Sequence, residues 1–341
     1  MLYYINGGQM RPTTPIEDNK RVLIIDALNM FLRAYTIIPS MNPQGLPNGG
    51  TIGFIKSIQK LCRNFRPHEV IICWDGHGGS EKRRQMNKNY KAGRRPVRFN
   101  RRMIELPEDQ VKKNRADQQL RLHEYLNNMP MIQLMVDFVE ADDIIALVCK
   151  NKKNADYNKI IVSSDKDFYQ LLGDENVFIH RPSAKEPRDP DYLINGKMLL
   201  HKEGIHPNNY ALARAIDGDK SDNIEGVPRI GMKTIKTNLP ILEQEKQLSC
   251  DELFVYCRMQ VKQKNCHKKL LEYQERVKDN YEIMQLYESN ISYNGRSTIN
   301  YTIDNFEHAF NKLEIQKMLI TDGQGQLNLS DLWAAFKNII P

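Results

Sequence analysis

The sequence predicts an α/β fold with a mostly parallel central sheet flanked by helices. Two observations support this prediction. Through the first 200 residues, short apolar runs rich in β-branched residues alternate with longer stretches of helical spacing. Such alternation is typical of parallel strands joined by crossover helices. After about residue 200 the pattern becomes helical to the end.

The predicted elements follow one another in a regular order. The first twenty residues are expected to be a mobile tail. Strands are predicted at 22–25, 70–74, 159–162 and within 175–181. Helices are predicted after Asp26, over 51–65, in a charged segment that ends near residue 128, and from near Glu140.

The composition is that of a globular protein without a membrane-spanning segment. Hydrophobic residues make up 40% and charged residues 27%, as in an ordinary globular protein with a core. No apolar run approaches the ~18 residues of a membrane span, and the first twenty residues lack a signal-peptide core. Six cysteines without small-scaffold spacing indicate reduced thiols and a cytoplasmic location. Cys250, Cys257, Cys266 and His267 match no zinc-binding spacing.

Positive charge is concentrated in one internal segment. The net charge is +7, and residues 76–102 contain ten Lys or Arg against the single acid Glu81. The remainder of the chain is therefore slightly acidic. Tyr90 and Phe99 interleave with these cations, which favours a polyanion-binding element over a solvated charge run.

Acidic residues stand where predicted strands end. Asp26, Asp75 and the pair Asp165 and Asp167 each follow a strand. The carboxyl ends of parallel strands meet at one edge of a sheet, where ligands bind. Two further clusters add Glu140, Asp142, Asp143, Asp219 and Asp222. Taken singly, each acid is equally well explained as a helix cap or turn residue. Together they would repel one another unless hard cations such as Mg²⁺ or Mn²⁺ neutralised them.

The segment GDKSDNIEGVPRIGMKTI, residues 218–235, carries a second signal. Gly226 and Gly231 flank a tight turn, and Gly231 opens a helix with Lys233 and Lys236. Glycines let backbone amides approach a phosphate closely, so this turn indicates binding of a nucleic-acid backbone. An ordinary packing corner between helices is the alternative.

These motifs resemble those of the structure-specific 5′-nucleases, which include flap endonucleases, bacteriophage 5′-exonucleases and RNases H, and the 5′-nuclease domain of bacterial DNA polymerase I. The resemblance spans about residues 21–240. The segments that carry it are LIIDALNMFLRAY, CWDG, NYKAGRR, VEADDIIA, SSDKDFYQLL and GDKSDNIEGVPRIGMKTI. It implies a PIN-like nuclease core with a basic helical arch and a helix-hairpin-helix element.

The resemblance also implies a site with two divalent cations. The first-metal group corresponds to Asp26, Asp75, Glu140 and Asp142, and the second to Asp165, Asp167 and Asp222. Asp143 and Asp219 would be shared or outer-sphere acids. Lys91 and Arg84 resemble residues that contact the scissile phosphate, beside Tyr90, although Arg83 is an alternative to Arg84.

DNA-binding residues and domain limits follow from the same resemblance. Arch residues that contact DNA are Arg83, Lys88, Arg94, Arg95 and Arg98. The hairpin contributes Gly226, Gly231, Lys233 and Lys236, and relatives often hold K⁺ there. The expected regions are a tail (1–20), a core (21–200) with the arch at about 76–138, the hairpin (201–240) and a C-terminal helical region (241–341).

The implied activity is hydrolysis of phosphodiester bonds near 5′ ends, by a 5′-3′ exonuclease or flap endonuclease that removes RNA primers or flaps during replication. Its partners would be branched or nicked duplex DNA and RNA–DNA hybrids, with a single-strand-binding protein and a clamp as candidate protein partners. The lack of a polymerase-sized extension favours a free-standing phage enzyme in the host cytoplasm. The alternatives are a nuclease-dead DNA-binding relative and a PIN-type single-strand ribonuclease. The C-terminal segment LSDLWAAFKNII is interpreted as core packing, with a partner-docking helix as the alternative.

Overall fold

The computed structural model describes residues 3–6, 9–12, 20–93, 107–182, 193–288, 290–325 and 327–339 of the 341-residue chain. Arg94, Arg95, Arg98 and Phe99, which belong to the predicted arch, lie outside the described residues.

The described residues form nine strands, fourteen α-helices and three short 3₁₀ helices. The strands are β1 (Tyr3–Asn6), β2 (Gln9–Pro12), β3 (Arg21–Asp26), β4 (Glu69–Cys73), β5 (Ile132–Leu134), β6 (Asn158–Val162), β7 (Val177–His180), β8 (Gly218–Asp219) and β9 (Ile224–Glu225). The helices of the first 200 residues are α1 (Ala27–Ile37), α2 (Gly49–Phe65), α3 (Glu81–Met86), α4 (Glu108–Asn127), α5 (Ala141–Cys149) and α6 (Gly196–Glu203).

The remaining helices continue to the end of the chain, as predicted. They are α7 (Tyr210–Asp217), α8 (Met232–Asn238), α9 (Cys250–Met259), α10 (Asn265–Glu272), α11 (Gln274–Met284), α12 (Tyr293–Asn305), α13 (Lys312–Thr321) and α14 (Leu329–Phe336). The 3₁₀ helices are Asp167–Gly173, Pro207–Asn209 and Pro240–Glu243.

A five-stranded sheet in the order β5-β4-β3-β6-β7 forms the centre of the molecule. All its strand pairs are parallel, which confirms the predicted fold class. Every residue of β4 and β6 is buried, because helices cover both faces. The sequence prediction missed β5, since three residues are too short for a strand pattern to be recognised.

Two apolar cores lie on opposite faces of this sheet. Val22 and Ile24 point into the core formed with α5, α7 and α9–α12. Leu23 and Ile25 point into the core formed with α1, α2, α4, α13 and α14. The alternation follows from the two-residue period of a strand.

The C-terminal helix packs within the second core. Leu332 and Phe336 of α14 are fully buried there. Their burial confirms the core-packing interpretation of LSDLWAAFKNII. None of the described helices combines the length and apolarity required to cross a lipid bilayer.

The structure adds detail to two predicted regions. Within the predicted tail, β1 and β2 pair antiparallel, with Asn6 opposite Gln9. The two residues between the strands are both glycine, a turn signal that the sequence prediction overlooked. The predicted arch also extended too far, because its residues 132–134 form β5 of the central sheet.

Candidate active site

Six aspartates line one cleft at the carboxyl edge of the central sheet. Lys91, Tyr90 and Arg83 lie in the same cleft. The six are Asp26, Asp75, Asp142, Asp165, Asp167 and Asp222. The predicted convergence of the strand-end acids is therefore observed.

The order of strands explains this convergence. Asp26 ends β3, Asp75 follows β4, and Asp165 follows β6. These three strands are neighbours and run parallel, so their ends share one edge. The first turn of α5 adds Asp142, and the turn between β8 and β9 adds Asp222.

Several of these aspartates also cap local structure. Asp26 accepts a hydrogen bond from the Asn29 amide at 3.1 Å and so caps α1. Asp75 accepts from the Ala141 amide, at the first residue of α5, at 2.8 Å. The capping and cleft interpretations of the sequence were alternatives, but the structure shows that one carboxylate serves both.

Burial disfavours the ionised form of some of these carboxylates. The pKa of Asp26 is raised to about 7, chiefly by burial, with the charges of Asp75 and Asp165 adding to the effect. The Ser163 hydroxyl donates to Asp26 at 2.8 Å and opposes this rise only in part. A charged Asp26 is therefore costly without a nearby cation.

Two other cleft acids show the same effect. Burial raises the pKa of Asp142 well above its ordinary value, and although Lys91 opposes the shift, Asp165 adds to it. Burial and the charge of Asp165 raise the pKa of Asp167 to about 6, although Arg214 opposes them. The cleft therefore has more negative charge than its own cations balance.

Glu140 and Asp143 do not line the cleft, and cations of the basic segment hold both of them. Lys91 Nζ lies 2.6 Å from Glu140 Oε1, and Arg83 bridges Glu140 and Asp143, 2.9 Å from Asp143 Oδ2. The Tyr90 hydroxyl donates to Glu140 at 3.1 Å. Burial alone would raise the pKa of Glu140, but Arg83 and Lys91 outweigh it and lower that pKa.

The structure places Arg83, the alternative to Arg84, in the cleft. Arg83 is only 4% exposed, whereas Arg84 is exposed and does not line the cleft. Consecutive residues of α3 point about 100° apart, so only one can face the acids. Arg83 is thus a buried ion-pair partner, whereas Arg84 and Lys88 are exposed.

The turn that contains Asp222 fixes the backbone of Lys91. Lys91 has φ 54°, and its amide donates to the Asp222 carbonyl at 2.9 Å. The Asn223 side chain donates to the carbonyls of Asn89 and Ala92. A positive φ is unfavourable for lysine, so these bonds hold the residue in a strained conformation beside the acids.

Arg214 is a site residue that the sequence prediction missed. Its guanidinium lies 2.9 Å from Asp167 and also binds Asp219. Asp219 does not line the cleft, and although burial acts to raise its pKa, Ser221 and Arg214 lower it. The one signal in the sequence was a single arginine in the apolar stretch YALARAID.

The donor set suits hard divalent cations. Among the described residues, no three acidic, histidine or cysteine side chains form a ready-made metal-binding group. Arg83, Lys91 and Arg214 engage four of the nine predicted ligands, namely Glu140, Asp143, Asp167 and Asp219. The acids of the cleft offer carboxylate oxygens, and the raised pKa values of three of these acids indicate unbalanced negative charge. Mg²⁺ and Mn²⁺ prefer this chemistry.

The predicted hairpin lies beside the cleft. A Cβ on Gly226 would stand 2.2 Å from the Asp217 carbonyl oxygen, so only glycine fits there. Gly231 precedes α8 as predicted, but a Cβ there would make only one ordinary contact, at 3.4 Å. Lys233 and Lys236 are both exposed.

Asn280 of α11 is a second residue that the sequence prediction missed. Its side-chain amide donates to the carbonyls of Ala215 and Glu225, both at 2.9 Å. It is 5% exposed and so forms a buried link between α7 and the start of the hairpin. The C-terminal region therefore holds the hairpin in place.

The fold and the cleft together define an α/β protein with an acidic site suited to hard cations. Residues 21–202 match the family model described as 5′-3′ exonuclease, N-terminal resolvase-like domain. That match covers more than half of the chain, which belongs to this family.

Curated relatives agree with this assignment. The thermostable DNA polymerase I of Thermus aquaticus is 33% identical over 230 residues, which are 67% of this chain and 25% of the polymerase. The 5′-3′ exonuclease of Buchnera aphidicola is 29% identical over 225 residues, 64% of this chain and 70% of that protein. The chain spans about a quarter of the length of the first polymerases that it matches.

A solved structure shows the same fold. The 5′-exonuclease of bacteriophage T5, in a structure with bound zinc ions, superimposes with a TM-score of 0.65 at 16% identity. The alignment covers 83% of this chain and 98% of that protein. The likeness extends the shared fold well beyond residues 21–202.

Proposed function

We propose that this protein is a structure-specific 5′-3′ exonuclease and flap endonuclease. It hydrolyses phosphodiester bonds near the 5′ ends of duplex DNA or RNA–DNA hybrids and removes primers or flaps in replication, as a phage-type enzyme. The observation that carries the proposal is the cleft of six aspartates with the Lys91 ammonium beside it. Family membership supports the same reaction.

Two divalent cations, Mg²⁺ or Mn²⁺, are the proposed cofactors. Asp26, Asp75, Glu140 and Asp142 would hold one, and Asp165, Asp167 and Asp222 the other, with Asp143 and Asp219 outside them. When bound, two such ions generate a nucleophile from water and stabilise the attacking and leaving oxygens of the phosphodiester.

The chain's own residues position and neutralise the substrate. Lys91 provides a cation at the cleft for the scissile phosphate, and its fixed backbone limits where that cation can lie. Tyr90 is 4% exposed and supports Lys91, whose ammonium stands 4.9 Å from its ring centre. Arg83 pairs with both Glu140 and Asp143, and with Lys91 it lowers the pKa of Glu140 against the effect of burial.

Two basic elements are proposed to grip different parts of the substrate. Lys88 and the arginines 94, 95 and 98 would contact the single-stranded 5′ end. Gly226, Gly231, Lys233 and Lys236 would contact the duplex backbone, with K⁺ as a further ligand of the hairpin. Both elements neutralise phosphates without reading sequence.

A product-mapping assay tests the proposal. Labelled nicked, flapped and RNA-primed duplexes are incubated with Mg²⁺, Mn²⁺ or EDTA, and products are sized to the nucleotide. We expect cleavage near 5′ ends with either metal and none with EDTA. Asp165→Asn and Asp142→Asn should each reduce cleavage more than about 1,000-fold while duplex binding persists, because each removes a proposed ligand.

The matched control is Asp174→Asn, an exposed aspartate outside the cleft, which should cleave as the wild type does. Near-normal turnover by Asp165→Asn at saturating Mg²⁺ would refute the two-metal site.

A further inference from the structure

The C-terminal region contains a second concentration of positive charge. Residues 258–269, RMQVKQKNCHKK, hold five Lys or Arg and no acid. The rest of residues 241–341 contains 14 acids and seven Lys or Arg. Positive charge in residues 241–341 is therefore concentrated in one segment, whereas the rest is acidic. We refer to residues 258–269 as the basic α9–α10 segment.

Most of the basic side chains of this segment are exposed to solvent. Cys257, Cys266 and Leu270 are buried and anchor the segment to the first core. The cations lie on the other side, where Arg258, Lys262, Lys264 and Lys268 are exposed. The result is a basic surface on a rigid support.

Three contacts attach this segment to the hairpin. Lys264 donates to the Asn238 side chain at 2.9 Å, and His267 Nε2 lies 3.1 Å from the Asn238 carbonyl. At the other end of α10, Lys269 donates to the Pro228 carbonyl at 2.7 Å. Pro228 precedes α8 and Asn238 ends it, so α10 is attached to the chain near both ends of the hairpin helix.

We propose that the basic α9–α10 segment is a second phosphate-binding surface for the double-stranded part of the substrate, extending the grip of the hairpin. The inference rests on the proposed function and adds a binding surface to it. No residue of the segment lines the acidic cleft, so the segment acts on the duplex and not on the reacting 5′ strand. An eight-residue helix is about 12 Å long, which corresponds to roughly three or four base pairs of duplex.

The test uses the double variant Lys262→Gln with Lys268→Gln, which spares the contacts that Lys264 and Lys269 make with the hairpin. Dissociation constants are measured in EDTA on duplexes of increasing length and across salt concentrations. On long duplexes we expect affinity to fall roughly threefold to thirtyfold and the salt slope to flatten by about one to two units. On the shortest duplex and on a single strand, affinity should not change.

Two controls separate charge from structure. Lys56→Gln with Lys60→Gln alters two exposed lysines of α2, on the opposite side of the sheet, and should bind as the wild type does. Lys262→Arg with Lys268→Arg should retain full affinity because it keeps both charges.

The outcomes are distinct. Unchanged affinity and salt slope at every duplex length would overturn the proposal, as would an equal loss on single strands. If the wild type binds duplex normally but cleaves no substrate, the proposed activity is refuted. The affinities measured on duplexes of increasing length would still decide whether the basic α9–α10 segment binds duplex.

Discussion

The acidic cleft and the hairpin surface handle charge in opposite ways. In the cleft, charged groups are buried and paired at short distances, as Arg83 is with Asp143. On the hairpin surface, cations such as Lys233 and Lys236 are exposed to solvent. The interaction energy of a buried ion pair depends on its geometry and changes little with salt concentration. Exposed cations attract a ligand over longer distances, but dissolved salt screens that attraction. The buried arrangement suits a reaction site, where groups must be held in fixed positions. The exposed arrangement suits phosphate binding whose strength varies with salt concentration.

Arg83 and Arg84 provide the sharpest test of this contrast, since they are adjacent in sequence. Arg83→Met should lower the free energy of unfolding by about 3–5 kcal/mol, because it leaves two buried carboxylates without their partner. Arg84→Met should change it by less than about 0.5 kcal/mol. Urea unfolding in EDTA measures both variants. Equal effects would mean that the cleft does not depend on the buried pair.

Lys91→Ala tests whether a cation in the cleft contributes to chemistry more than to binding. The single-turnover rate should fall by the equivalent of roughly 2–4 kcal/mol, by analogy with the loss of an oxyanion-hole donor. Duplex affinity should change little. The comparison variant is Lys88→Ala, an exposed lysine of the same basic segment, which should alter the rate much less. An unchanged single-turnover rate for Lys91→Ala would remove its catalytic role.

The raised pKa of Asp26 should make the folding stability of the protein depend on pH. Its pKa is raised from 3.8 to about 7 in the folded protein, so folding takes up a proton between these values. Its stabilising contribution is therefore complete below about pH 4 and is lost as pH rises through 7. In EDTA, the stability of the wild type relative to Asp26→Asn should fall by on the order of 2–4 kcal/mol from pH 4 to pH 8.

Adding Mg²⁺ should reduce this pH dependence, because a bound cation favours the ionised carboxylate. The exposed Asp174→Asn serves as the control. A pH dependence that Asp26→Asn leaves intact would show that Asp26 is not the group responsible.

The smallest effects are expected on the hairpin. Lys233→Ala should leave stability within about 0.5 kcal/mol of the wild type and flatten the salt slope of duplex binding by about one unit. A salt titration on a flap-free nicked duplex measures this. Loss of cleavage with unchanged binding would place Lys233 in the chemistry and would break the distinction between the two regions.

Local sequence patterns were sufficient to predict four of the five strands of the sheet and most of the cleft. Each of those four strands carries its own apolar pattern, and Asp26, Asp75 and Asp165 follow directly from where β3, β4 and β6 end. Parallel pairing then brings those ends together without further information.

Contacts between distant residues could not be predicted in this way. Arg214 meets Asp167 across 47 residues, and Asn280 meets Ala215 across 65. The choice between Arg83 and Arg84 depends on how α3 is rotated, which no pattern in a six-residue helix reveals. Such contacts are set by tertiary packing and become visible only in the folded chain.

The double role of Asp26 as cleft acid and helix cap constrains how such a protein can evolve. Asparagine caps a helix about as well as aspartate, whereas alanine costs about 1 kcal/mol. The least disruptive route from an active to an inactive descendant therefore passes through Asp26→Asn, which keeps the oxygen that accepts from the Asn29 amide. A lineage could lose its chemistry in one substitution and keep its fold, because the capped start of α1 would remain.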